Sequence, residues 1–314
     1  MTEPREWAFK ALTPIWTGDA RGRTSRLIST GLLGSIRWWF EVVVRGLGGS
    51  ACDPSDTSSR CPDKKGRHCV VCELFGCTGW ARKFRFQVLD EVGMTQSASI
   101  QANKIFQFRF VSLRAIRPEE WALIDLTLRL IAEYGALGGK TIYKPSDESS
   151  RQNQAHHRDY GLIEITQSPT VTRNTIDELK AHVSGGGWRR LNHGGAAWAS
   201  LEHFWCVNGR YLARQNGSHS NFNRVIGRPE TKAQAGGNDS WLAGRRAGQG
   251  GDPESKKIFS FKHPARTFGF VKPGTITLDQ MKQKLAGEWP NFNASELCGG
   301  AKILDDLLTK ANQA

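Results

Sequence analysis

In the first half of the chain, the spacing of apolar residues switches repeatedly between two and three-to-four, and the order of those switches restricts the fold more than any other feature. Trp7, Phe9 and Ala11 alternate in a segment that Pro14 ends, which predicts a strand over 7–14. Over 28–47, Leu33, Ile36, Phe40, Val43 and Leu47 recur at steps of three and four, the stripe of a core-facing helix. Ser29 or Thr30 can cap that helix, and Gly48-Gly49 ends it. Alternation returns over 82–89 with Phe84, Phe86 and Val88, and over 104–113 with Phe106, Phe108 and Phe110. Residues 118–137 open on Pro118 and two glutamates, stop at Gly138-Gly139, and line Trp121, Ile124, Leu128 and Ile131 along one side, so a second helix is predicted. A short strand over 161–165 follows, closed by Pro169. Strand, helix, strand, strand, helix, strand is the βαββαβ order of a ferredoxin-like, RRM-like domain.

The second half is less regular. Thr175–Val183 is a short helix candidate, Phe204–Leu212 reads as a two-residue hairpin around Asn208-Gly209, and 213–257 is a polar, glycine-rich, basic loop expected to be partly disordered until bound. Ile258–Val271 supplies two strands, and Leu278–Leu285 and Ala301–Lys310 two helices. The fold class expected is α+β: tandem ferredoxin-like domains at 1–168 and 169–314. The first carries a cysteine-rich insertion (48–80) and a basic loop (138–159), and the second, degenerate one carries the loop 213–257. No sequence repeat links the halves.

Forty-three Lys and Arg against thirty acids give a net charge of +13 and a pI near 9.6, so a polyanionic partner is expected, with nucleic acid ahead of an anionic membrane. No apolar run approaches the roughly 20 residues of a membrane span. The N-terminus MTEPREWAF has no apolar signal region, so a cytoplasmic location is expected.

Five of the seven cysteines fall within residues 52–77, which in a reducing compartment favours metal over disulfides. Cys69 and Cys72 form a CxxC knuckle that can grip one face of a tetrahedral zinc ion, with Cys61 as a third ligand. Cys52 is the preferred fourth ligand and Cys77 the next, while His68 is awkward beside Cys69. A redox CxxC would open a helix in a thioredoxin-like βαβ pattern, which is absent.

Gly34, Arg37, Trp38, Glu41 and Arg45 lie beside the apolar stripe of the first helix. Backbone access, guanidinium charge and an indole plane there suit an anion, although Glu41 and Arg45 are also spaced to pair with each other. The preceding loop adds Gly18, Arg21, Arg23 and Arg26. Gly135-Ala-Leu-Gly-Gly-Lys-Thr141 is one residue short of a Walker A loop and follows a helix, so it is not a nucleotide loop. Gly138, Gly139, Lys140, Lys144 and Arg158 instead offer amides and cations to a phosphodiester chain, against the plainer reading of a solvated turn. His156 and His157 are adjacent and rarely serve one site, and Asp19 is a lone acid among arginines. No catalytic constellation is found, and a noncatalytic protein is expected.

Three segments in order, LTPIWTGDA, STGLLGSIRWWF and CELFGCTG, resemble the N-terminal pattern of the RAMP superfamily of CRISPR proteins, and within it the first, capping subunits of type III-B (Cmr) effector complexes. The likeness covers about residues 10–90, and YGALGGK is similar to the superfamily's glycine-rich loop. It implies a noncatalytic subunit that binds crRNA and target RNA at the end distal to the crRNA 5′ tag, beside other RAMP subunits. Gly18, Gly34, Arg37, Trp38, Gly138, Gly139 and Lys140 would then face RNA. An endoribonuclease of the same superfamily, using Asp19 or a histidine, is the alternative. Two departures stand out: the 18 residues TIYKPSDESSRQNQAHHR after the glycine-rich loop, and the cysteine insertion, which resembles zinc knuckles of other type III RAMP subunits.

Overall fold

The structure is a computed structural model that describes residues 3–18, 26–53, 56, 59–138, 145–152, 154–191, 194–217, 219–228, 240–245 and 254–311. The first compact unit comprises 1–140, 161–202 and 300–314, and the second 141–160 and 203–299.

In the first unit, β1 (Arg5–Ala11), α1 (Ser29–Gly46), β2 (Phe84–Asp90), β3 (Ile105–Ser112), α3 (Pro118–Glu133) and β4 (Ile163–Gln167) follow the expected order, with α2 (Val70–Phe75) inserted after α1. The antiparallel sheet runs β2-β3-β1-β4. Trp7, Phe9, Phe84, Phe86, Phe106, Phe108 and Phe110 are all buried, and the registers put them on one face, where α1 and α3 bury their own apolar stripes. Trp7 Nε1 donates to Asp125 Oδ1 (2.8 Å), whose other oxygen accepts from Arg129. Lys83 Nζ sits 2.8 Å from Glu120 and 3.1 Å from Glu73, tying β2 to α3 and α2.

The second unit repeats the topology. Its elements are β5 (Phe204–Asn208), α5 (Asn221–Val225), β6 (Ile258–Lys262), β7 (Ala265–Phe270), α6 (Leu278–Ala286) and β8 (Cys298–Gly299), again βαββαβ. The sheet order β6-β7-β5-β8 matches that of the first unit. Trp205, Val207, Phe222, Ile258, Met281 and Leu285 form its helix-side core. The fold is thus two four-stranded antiparallel sheets in tandem ferredoxin-like arrangement, a repeat of topology that no sequence repeat announces.

Three expectations are corrected. Phe204–Leu212 is not a hairpin: Gly209 takes φ +82 and turns the chain out of β5, Arg210 is held by Glu296 and by the Pro290 carbonyl, and β5 pairs with β7 and β8 instead. α4 (Ile176–Val183) and α7 (Gly300–Ala311) both pack on α3 and belong to the first compact unit. Periodicity reveals that such helices are amphipathic, but not which element they pack on. Neither Ser29 nor Thr30 caps α1; Thr17 Oγ1, from the preceding loop, accepts the Ile28 amide (2.9 Å). Within 213–257, α5 and a turn over Trp241–Ala243 are folded, while 229–239 and 246–253 lie outside the described residues. No described helix is long and apolar enough to cross a membrane.

Candidate functional site

Two clusters lie on neighbouring turns of α1. The first is the cysteine cluster. Cys52, Cys61, Cys69 and Cys72 are all buried, and their sulfurs lie within 4.8 Å of one another. Cys69 precedes α2 and its Sγ accepts the Cys72 amide (3.4 Å), while Cys61 Sγ accepts the Cys69 amide (3.3 Å). Cys52 and Cys72 sulfurs are 3.3 Å apart, too far for a disulfide. A tetrahedral zinc thiolate site would separate its sulfurs by about 3.8 Å, given metal–sulfur bonds of about 2.3 Å. The insertion is no detached knob: Val70, Val71, Leu74 and Phe75 of α2 enter the core, where Phe75 meets Phe40 (5.1 Å) and Phe84 (5.4 Å).

Electrostatics fit a cation at this point. Hydrogen bonds from Cys52, Cys69 and Cys72 hold the Cys61 thiol well below the ordinary range. Those with Cys52 and Cys61 push Cys69 and Cys72 well above it. Four thiols this close cannot all ionise unaided, and a bound metal ion removes that conflict. Two guanidinium groups also face the cluster. Arg37 places Nη2 3.2 Å from Cys72 Sγ, Nη1 2.8 Å from the Gly76 carbonyl and Nε 3.1 Å from Glu41. Arg189 places Nη1 3.7 Å from Cys61 Sγ and also bonds the Ser59 carbonyl, while its amide donates to the His68 carbonyl. Burial lowers the Arg37 pKa, but the charges of Cys72 and Glu41 outweigh it and raise it overall. Of the other candidate ligands, Cys77 is partly exposed and directs its thiol to the Thr78 carbonyl, and His68 stacks on Trp80 at 4.5 Å. Cys52 therefore completes the cluster.

The second cluster is built from backbone. The Gly138 amide donates to Ser35 Oγ (3.1 Å), Trp39 Nε1 donates to the Ala136 carbonyl (2.9 Å), and Thr17 holds the start of α1. Gly138 has φ +124, and a Cβ there would stand 3.0 Å from the Trp16 carbonyl, so turn and loop need a glycine to meet. Gly34 is different. It is exposed in mid-helix, and a Cβ there would meet nothing within 4 Å. A helix-interior glycine costs roughly 0.5–1 kcal/mol relative to alanine, and the fold gives nothing back for it.

The structure therefore brings Gly34 and Gly138 close, with the Trp16–Gly18 loop beside them. Trp38 is half-buried, edge-on to Trp39 at 4.9 Å, and Arg26 is exposed. Arg158 is exposed in the second unit. Asp19, Arg21, Arg23, Gly139, Lys140 and Lys144 lie outside the described residues. The Arg37 guanidinium is partly exposed and bonds Cys72, the Gly76 carbonyl and Glu41. Glu41 and Arg45 are buried, with Arg45 Nη1 donating to the Ala199 carbonyl (3.0 Å). Arg189 was not found from the sequence, since nothing in its spacing links it to cysteines more than a hundred residues earlier. The open face of the first sheet carries Glu6, Lys10, Arg85, Gln107 and Arg109 and no aromatic side chain among its described strand residues, so it is not a base-stacking platform of the RRM kind.

With this geometry in place, comparison with known proteins gives a family match: residues 8–143 match the model of the RAMP superfamily. No curated protein sequence matches the chain. Among solved structures, it is similar to Cmr1 from Pyrococcus furiosus in its apo form, at 11% identity over 98% of this chain and 97% of that one, with a TM-score of 0.42. It is also similar to a chain of the type III-B Cmr-beta complex bound to cognate target RNA and AMPPnP (8% identity, 98% and 99% covered, TM-score 0.39). A third likeness is to a chain of the Csm3-Csm4 subcomplex of a type III-A interference complex (15% identity, 57% and 93% covered, TM-score 0.25).

Proposed function

We propose that this chain is a noncatalytic, RNA-binding subunit of a type III CRISPR effector complex of the Cmr kind, holding crRNA and its paired target at the end distal to the crRNA 5′ tag, beside other RAMP subunits in the cytoplasm. The observation that carries the reading is Gly34. An exposed helical glycine with open space around it, near the Gly138 turn in the segment that matches the RAMP superfamily, lets a phosphodiester backbone approach α1 closely. Gly18, Arg21, Arg23, Arg26, Trp38, Gly138, Gly139, Lys140, Lys144 and Arg158 are the further contacts proposed, and the net charge of +13 supports them. The Cys52, Cys61, Cys69 and Cys72 cluster holds a structural zinc ion, favoured by its four buried sulfur donors.

Binding of a labelled single-stranded RNA to the full-length protein, titrated across salt, tests the RNA reading. Affinity is expected to fall with salt at a log-log slope on the order of −0.7 per phosphate neutralised. Gly34→Glu is expected to weaken binding at every salt concentration without lowering the melting temperature. Unchanged affinity in that variant rejects the glycine surface.

A further inference from the structure

The two cysteines outside the insertion face each other. β8 consists of Cys298 and Gly299 alone, and its register on β5 pairs Cys206 directly with Cys298. Directly opposed residues of an antiparallel pair project from the same face with Cβ atoms about 4.5–5.5 Å apart, and a disulfide needs Cα atoms about 4.4–6.8 Å apart, so the register itself supplies bridging geometry. Both residues are free thiols here. They differ in access: Cys298 is partly exposed, whereas Cys206 is buried, with only a long contact to Asn208 Oδ1 (3.7 Å). Burial pushes the Cys206 thiol up to about 12, so Cys298 is the thiol that meets an oxidant first.

We propose that Cys206 and Cys298 are a redox-responsive pair that closes to a cross-strand disulfide when a low-molecular-weight disulfide is in excess. The Cys298 thiolate attacks one sulfur of the small disulfide, breaking its S–S bond and releasing one small thiolate. The Cys206 thiol then gives up its proton and attacks the Cys298 sulfur of the mixed disulfide, releasing the second. The two protein thiols are oxidised by two electrons, and the small disulfide is reduced to two thiols that carry the protons away. In a reducing compartment the pair rests as two thiols, and the bridge forms only when the redox poise shifts. Its structural effect falls on the shortest strand of the second sheet, which becomes covalently fastened to β5 immediately before the chain enters α7.

The test exposes full-length, metal-loaded protein to excess oxidised glutathione, alkylates the remaining thiols and maps peptides without reduction. A Cys206–Cys298 linked peptide is expected, with a rise in melting temperature that a reductant abolishes. Cys206→Ser is expected to retain one glutathione on Cys298, and Cys298→Ser to leave Cys206 unmodified. Wild-type protein that keeps glutathione on Cys298 beside an alkylated Cys206, that links Cys298 to Cys77 instead, or that stays fully reduced overturns the proposal.

Discussion

Arg37 Nη2 lies 3.2 Å from Cys72 Sγ, three residues along α1 from the exposed Gly34. One turn of helix thus joins a backbone surface open to solvent to a buried thiol cluster. The link continues inward, since Glu41 bonds both Arg37 and Arg45. Desolvation raises the Glu41 pKa and the two guanidinium groups oppose it, so the carboxylate depends on its neighbours to stay charged. The cysteine cluster and the exposed Gly34 therefore share one helix.

Replacing Arg37 with Met is expected to weaken metal retention by about 10–100-fold, the usual effect of losing a hydrogen-bonding partner behind a metal ligand. Competition with a chromogenic chelator measures it. Cys72→Ser is expected to lose the metal outright and Cys77→Ser to keep it, and a Cys77→Ser variant that loses metal would mean the cluster has been misassigned.

Gly34→Ala is expected to stabilise the fold by roughly 0.5–1 kcal/mol, because alanine restricts the unfolded chain and its Cβ enters open space. Denaturant unfolding reads the change. A loss of stability would mean that the position is packed and that its glycine has a structural cause.

Lys83→Met leaves Glu120, whose side chain is 1% exposed, with a buried charge and no cation beside it. The expected loss is about 3–5 kcal/mol, as for other buried pairs broken on one side. Restoring most of it with a further Glu120→Gln substitution would separate the charge effect from lost packing.

His182 gives the fold a pH dependence. Burial lowers its pKa below the ordinary 6.5, so the unfolded chain binds the extra proton first. Its stabilising contribution is present above pH 6.5 and is lost as pH falls through the folded value. Melting temperatures at pH 7.5 and 5.5 should show this drop, and His182→Gln should flatten it; equal slopes in both proteins would place the dependence elsewhere.

Much of the first unit was legible in the chain. The stripe of Leu33, Ile36, Phe40, Val43 and Leu47 is buried, and the phenylalanines of β2 and β3 face the helices, because burial on one face imposes a period that local sequence must obey. The cysteine cluster was readable for a related reason: a CxxC turn places two sulfurs together whatever surrounds it. The hairpin expected at Asn208-Gly209 failed because its turn residues do promote a turn, while the strand that β5 pairs with is chosen by β7 and β8 far along the chain.

By itself, the sequence determined the βαββαβ order, the cysteine set and the basic character of the chain, all of which rest on spacing or composition. Only the tertiary structure decided that the Arg37 guanidinium turns inward to Cys72, that Arg189 joins it, that α4 and α7 pack on α3, and that Cys206 faces Cys298. Each of these is a contact between residues distant in sequence, and no local periodicity encodes the direction in which a side chain finds its partner.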